Sequence, residues 1–177
     1  SHGMVREASS EELRRQYRET HPDLNPDFIF AFPAYNVRPT EITGVLGRSQ
    51  LKRLDRNNQI RRENLLLFLA GLDPARYQTD FAVEGSCNYA FTLVLQEPDL
   101  ALRDRVEAAL RGAKVEFRRG LSGGGNQLRQ PYMRRLLGDE ECEKYPNVNH
   151  VHFFGWYIGN YPRLSRENIP VLCKLLN

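Results

Sequence analysis

Four groups of residues have types and spacings that chemistry can use. Tyr35-Asn36-Val37-Arg38 stands directly before a helix opened by Pro39 and Thr40. The first amides of a helix lack intrahelical partners and carry the positive end of its dipole, so an amide side chain and a guanidinium at that place suit an anion. The same two side chains could equally cap and anchor the helix, and the residues alone leave both readings open. The run Gly120-Leu121-Ser122-Gly123-Gly124-Gly125-Asn126-Gln127 lies between a strand and a helix, where backbone amides can cradle a phosphate. It matches neither the Walker spacing nor the dinucleotide fingerprint, and a flexible connector is the competing reading. His150 and His152 form H-x-H; on a strand they would share a face, as two metal ligands must, but no third ligand stands nearby. Two part-buried histidines satisfy that pattern as well. Cys87 follows Glu84-Gly85-Ser86 with no base close in sequence, which gives no support to a nucleophilic thiolate.

The elements that would position these groups follow from patterning. Residues 6–20 are strongly charged, with Leu13 and Tyr17 at helical spacing and Ser9 or Ser10 as N-cap, so a surface helix is expected. Pro22 and Pro26 make a loop, and Phe28 to Phe32 reads as a buried strand or extended connector ended by Pro33. Thr40 opens the longest predicted helix, which runs to Leu69 on a discontinuous stripe of Ile42, Val45, Leu46, Leu54, Leu65, Leu66 and Leu69. Its basic residues Arg48, Lys52, Arg53, Arg56, Arg61 and Arg62, interrupted by Asp55 and Glu63, read as a solvated face. Gly44 and Gly47 leave its first half open to close approach, and its apolar side chains there are expected to be exposed.

Beyond this helix the pattern changes. Asn88 to Gln96 is a central strand, Leu100 to Leu110 an amphipathic helix ended by Gly112, and Val115 to Arg119 a half-buried strand. A short helix is expected over 131–138, an aromatic strand-like stretch over Asn149 to Ile158, and a terminal helix over Ser165 to Leu176 with Ser165 as cap. The order implies an α+β domain: a long helix and a small mixed or antiparallel sheet covered by helices on one face.

Composition bounds the function classes. The chain has 177 residues, 41% hydrophobic and 27% charged, an ordinary globular mixture. A net charge of +3, spread along the chain, gives no footprint for nucleic acid. Cys87, Cys142 and Cys173 form no C-x-x-C pair, so neither a disulfide framework nor a zinc site is expected, and a cytoplasmic location is the default. No apolar run approaches a membrane span, and the polar N-terminus does not read as a secretory leader.

Tyr35 to Asp55 closely resembles the segment YN-x-R-x-TE-I-x-x-x-x-G-x-x-QL-x-x-L of the DegT/StrS family, through Asn36, Arg38, Thr40, Glu41, Ile42, Gly47, Gln50, Leu51 and Leu54. These are fold-type-I pyridoxal-phosphate enzymes acting on nucleotide-linked 4-keto sugars. Gly125 to Tyr132 (GNQLRQPY) is similar to the GN-L-x-x-QPY segment of their 4-keto-6-deoxyhexose 3-dehydrase branch, and Gly155 to Pro162 (GWYIGNYP) to its W-I-G-x-YP segment. The resemblance runs from about Phe32 to the end of the chain. Ser1-His2-Gly3 is similar to an R-S-H-G stretch that follows the segment bearing the cofactor lysine; a tag scar before Met4 is the other reading.

The resemblance implies a division of labour. The family's large domain binds pyridoxal phosphate and supplies the cofactor lysine, or a histidine in the dehydrases; no motif for either is recognisable here. Residues 1–33 would be the tail of that domain or a linker, and 34–177 the C-terminal small domain. Asn36 would reach the cofactor phosphate of the neighbouring subunit in a homodimer, while Arg38, Asn126 and Tyr132 would contact the nucleotide-linked 4-keto sugar. Such a chain would be inactive alone. Val5 to Phe32 lacks the cysteine cluster of the iron–sulfur dehydrases, so no such cluster is expected. Whether the parent enzyme transaminates or dehydrates is not written in this portion. The rival reading is a stand-alone, non-catalytic binding or assembly module that kept the fold and could pair with a separate large-domain chain; the coding DNA immediately upstream separates the two.

Overall fold

The computed structural model describes residues 5–20, 31, 37, 39–120, 125–129 and 136–177. It divides into two compact units, Ser1–Lys52 and Arg53–Asn177.

In the first unit, α1 (Glu11–Thr20) begins where Ser10 Oγ accepts the Leu13 N–H at 3.2 Å, the cap expected of a serine ahead of a charged helix. Helix α2 (Glu41–Leu51) is capped by Thr40, whose hydroxyl accepts the Thr43 N–H at 3.2 Å. Its apolar side chains Ile42, Val45, Leu46 and Leu51 are all exposed. The strand expected over 28–32 lies outside the described residues except for Ala31.

The single helix expected from Thr40 to Leu69 is two helices. Lys52 keeps helical angles, but Arg53 leaves them at φ −115°, ψ 1°, and α3 (Leu54–Gly71) starts anew. No side chain between Glu41 and Glu63 is buried. No packed core therefore enforces a continuous helix through the charged residues at the break.

The second unit is a three-stranded antiparallel sheet, β1 (Ala90–Val94), β2 (Phe117–Arg119) and β3 (Gly155–Gly159), in the order β1-β3-β2. The register pairs Phe91 with Ile158 and Leu93 with Trp156, and Phe117 also stands opposite Ile158. Because side chains alternate along a strand, these residues share one face. That face packs into one core with three helices: α3 through Leu65, Phe68 and Leu69, α4 (Leu100–Gly112) through Val106 and Leu110, and α6 (Asn168–Leu176) through Ile169, Cys173 and Leu176. Each set follows the i, i+3/i+4 spacing of an inward helical stripe. Asp99 caps α4 by accepting the Leu102 N–H at 2.8 Å. Helix α6 starts at Asn168 rather than Ser165. Ser165 takes part through its backbone instead, its carbonyl accepting the Asn168 N–H at 3.0 Å in the turn before the helix.

The aromatic stretch 149–158 is divided. Helix α5 (Pro146–Phe154) passes into β3 without a loop at Gly155. A Cβ at Gly155 would stand 2.6 Å from the Val151 carbonyl oxygen, so only glycine permits the strand to leave the helix so closely.

Candidate functional site

Of the four site residues expected from sequence, Asn126 is described; Asn36, Arg38 and Tyr132 lie outside the described residues. Asn126 is 2% exposed and sits at the centre of a polar cluster that joins the 125–129 segment to α5. Its backbone N–H donates to His152 Nδ1 at 3.1 Å, and its Nδ2 donates to Asn149 Oδ1 at 2.9 Å. Its own Oδ1 accepts the Leu128 N–H at 3.0 Å, turning the chain within two residues. Asn149 Oδ1 also receives Arg129 Nε at 2.9 Å, and Arg129 continues to Glu143 at 2.9 Å. Asn149 Nδ2 donates to the Cys142 carbonyl at 2.8 Å. Asn126 therefore fixes the shape of its segment with both ends of its amide.

Gly125 lets this happen. It holds φ +85°, and a Cβ there would lie 2.2 Å from His152 Nδ1. A side chain at this position would be strained and would displace the imidazole that receives the Asn126 amide.

His150 and His152 stand on α5, not on a strand, which corrects the basis of the metal-pair reading. Residues two apart on a helix point to different sides. His150 Nε2 bonds to the Leu95 carbonyl at 2.7 Å, while His152 turns to Asn126. Among the described residues no group of three His, Cys, Asp or Glu side chains could hold a metal ion. Cys87 is exposed; Cys142 and Cys173 are buried, and burial raises the Cys173 thiol above its ordinary pKa.

Two buried polar centres have no counterpart in the sequence reading. Glu107, on α4, is 2% exposed yet stays ionised. Burial alone would raise its pKa, but hydrogen bonds from Arg119, from Trp156 Nε1 at 2.9 Å and from Arg111 at 2.6 Å override it and hold the carboxyl at about 2. Arg111, four residues on along the helix, was the one visible clue. Asn64 and Asn160 form the other centre. Asn64 Nδ2 donates to Asn160 Oδ1 at 3.2 Å, and Asn160 Nδ2 donates to the carbonyls of Arg61 and Asn88 at 2.8 and 2.9 Å. Asn160, the asparagine of the GWYIGNYP segment, thereby ties α3 to the residues around β1 and β3.

The described residues do not fit covalent anchorage of a pyridoxal cofactor. Lys52, Lys114, Lys144 and Lys174 are all exposed, and Glu141, hydrogen-bonded to Lys144 at 2.6 Å, raises that ammonium's pKa further. A cofactor lysine needs the opposite, an environment that favours loss of its proton.

Comparison with known proteins supplies the wider frame. The model of the DegT/DnrJ/EryC1/StrS aminotransferase family matches residues 1–176. The chain is 27% identical over 150 residues to the GDP-4-keto-6-deoxy-D-mannose 3-dehydratase of Escherichia coli O55:H7, covering 84% of this chain and 38% of that enzyme. The Yersinia pseudotuberculosis enzyme of the same name gives the same identity and coverage. The chain thus spans well under half the length of these relatives. Among solved structures, a GDP-4-keto-6-deoxymannose-3-dehydratase with a trapped PLP–glutamate geminal diamine is similar at 25% identity and TM-score 0.62, covering 86% of this chain and 39% of that one. The E. coli GDP-4-keto-6-deoxy-D-mannose-3-dehydratase with hydrated PLP shares the fold, with TM-score 0.68 at 24% identity over 99% of this chain and 45% of that one.

Proposed function

Since the chain belongs to the DegT/DnrJ/EryC1/StrS aminotransferase family, we propose that it is the C-terminal portion of a pyridoxal-phosphate-dependent nucleotide-sugar aminotransferase or 3-dehydratase, inactive by itself. Residues 1–33 are then the tail of the cofactor domain or a linker, and 34–177 the small domain that closes over the substrate. The parent enzyme works in the cytoplasm as a homodimer, on a nucleotide-linked 4-keto sugar, in deoxy- or amino-sugar synthesis for surface polysaccharide. The observation that carries this reading is the family match over nearly the whole chain, with the YN-x-R-x-TE segment ahead of α2. When bound, the cofactor supplies the electron sink for chemistry at the sugar. The residues of this chain bind and orient. Asn36 donates to the cofactor phosphate of the neighbouring subunit, and Arg38 and Tyr132 hold the sugar nucleotide. Asn126 serves the substrate through the segment it shapes, because both ends of its side chain are already committed within the fold.

The test uses the full-length enzyme. A hydrogen bond to a charged group is worth about 1.5–3 kcal/mol, so Asn36→Ala is expected to weaken retention of pyridoxal phosphate by roughly tenfold to a hundredfold on dialysis. Arg38→Ala is expected to raise KM for the sugar nucleotide by a similar factor, with the cofactor retained. If both variants match the parent, the two residues only cap the helix and the reading fails.

A further inference from the structure

The segment from Gly125 to Arg129 is fastened to α5 near its start by an imidazole. The Asn126 N–H donates to His152 Nδ1 at 3.1 Å, and Asn126 is buried, so water is poorly placed to replace that acceptor. The ring lies directly against Gly125, where a Cβ would stand 2.2 Å from Nδ1. A ring nitrogen accepts only through a lone pair. Nδ1 therefore carries no proton in this contact, and the neutral ring holds its proton on Nε2.

The other histidine of α5 behaves oppositely. His150 Nε2 lies 2.7 Å from the Leu95 carbonyl oxygen, which can only accept, so the nitrogen donates. That N–H is present in the neutral tautomer and in the imidazolium alike, and acid leaves the bond in place. At His152 acid removes it. An imidazolium has two N–H groups and no acceptor in either orientation of the ring, so it would set a donor against the Asn126 N–H.

The charged groups that the described segments bring to this part of α5 have partners of their own. Arg129 stands 4.8 Å from the centre of the Phe153 ring, which meets the His152 ring edge-on at 4.6 Å. Glu143 pairs with Arg129 at 2.9 Å, and Glu141 with Lys144 at 2.6 Å. The Cys142 thiol donates to the Asp139 carbonyl at 3.3 Å. On β2, Arg118 rests on the Tyr157 ring and Arg119 is taken up by Glu107.

We propose that His152 is a pH-sensitive latch on the Gly125 to Arg129 segment: the neutral ring holds the Asn126 amide, and protonation releases it. The release is local, because the Asn126 side chain keeps its bonds to Asn149 and Leu128, and Arg129 keeps Glu143. It frees the start of the segment, where the sequence sets Gly123 and Gly124 ahead of Gly125 and so gives the backbone freedom to reorient. If the segment serves the substrate, mild acid changes its shape there; that consequence rests on the proposed function, whereas the latch itself does not.

The experiment is NMR on the 177-residue chain between about pH 8 and pH 5, a range that brackets an ordinary imidazole at about 6.5. Ring nitrogen shifts report the tautomer and protonation of His152. Hydrogen exchange, corrected for its intrinsic pH dependence, reports the protection of the Asn126 amide. Expected are the Nε2–H tautomer at high pH and a fall in Asn126 protection of roughly tenfold or more that follows the His152 titration. In His152→Asn, whose side-chain oxygen takes the place of Nδ1 and does not titrate, protection stays constant. In His150→Gln, which keeps a donor for Leu95, the fall is that of the parent. The proposal is overturned by an Nδ1–H tautomer, by a His152 ring or an Asn126 protection that does not change across the range, or by the same fall in His152→Asn. These readouts concern the segment alone, so a failed latch leaves the functional reading to the Asn36 and Arg38 variants.

Discussion

Glu107 joins α4 to both of the strands that follow it: one carboxylate oxygen receives Arg119 of β2 and Trp156 of β3, and the other receives Arg111. The folded pKa of about 2 lies below the ordinary 4.5. A carboxyl depressed in this way adds stability that is complete above its unfolded pKa and is lost as pH falls toward the folded one. The urea midpoint is therefore expected to drop between about pH 5 and pH 2, and Glu107→Gln should flatten that part of the profile. At neutral pH the same variant should cost about 1–3 kcal/mol, since the amide keeps the acceptor facing Trp156 but loses the charge that holds two arginines. An unchanged profile would mean that the arginines, both partly exposed, do not stabilise the charged form. At the same scale, the motif around Asn126 marks it in the sequence as an expected substrate contact. Its internal role is not marked there, because His152 and Asn149 reach it from more than twenty residues away.

At the scale of elements, α3 and α6 approach closely at Gly71, where a Cβ would stand 2.7 Å from Cys173 Sγ and 3.0 Å from its Cβ. Gly71→Ala is expected to destabilise by about 1–3 kcal/mol by overpacking, and Cys173→Ala should recover part of that loss in a double-mutant cycle on urea midpoints. Full additivity would show that the two helices can move apart at no cost. Helix α2 presents the opposite case, with Ile42, Val45, Leu46 and Leu51 in solvent and nothing within 4 Å of a Cβ built at Gly44 or Gly47. The chain is expected to self-associate through this face, and Val45→Glu/Leu46→Glu to suppress it; a strictly monomeric parent at high concentration in sedimentation would contradict this. The elements easiest to read were those whose pattern closes locally, such as β1 with its run of apolar residues and α4 with its amphipathic stripe and Gly112 at its end. The α5–β3 junction was hidden because Val151 to Ile158 is dominated by aromatic and apolar side chains on both sides of Gly155, so no clear change of period marks the switch there. The break at Arg53 was hidden for another reason. Its residues are good helix formers, and only the lack of packing lets the helix stop.

At the scale of the whole molecule, fold class followed from the order of helix and strand patterns, and family from fixed spacings in three segments. The α+β architecture with helices α3, α4 and α6 against one sheet face agrees with both. What the order of elements could not convey is which polar side chains would be spent inside the fold, and this matters most for the proposal that the chain is the cofactor-lacking portion of a pyridoxal-phosphate enzyme. Lys52 caps the end of α2, Lys114 and Lys174 are exposed, and Lys144 is paired with Glu141. None is placed as a cofactor lysine must be. The most direct measurement is titration of the 177-residue chain with pyridoxal phosphate, followed by borohydride trapping and peptide mapping. Only weak, non-saturating modification spread over exposed lysines is expected. One stoichiometric, saturable adduct on a single lysine would contradict it.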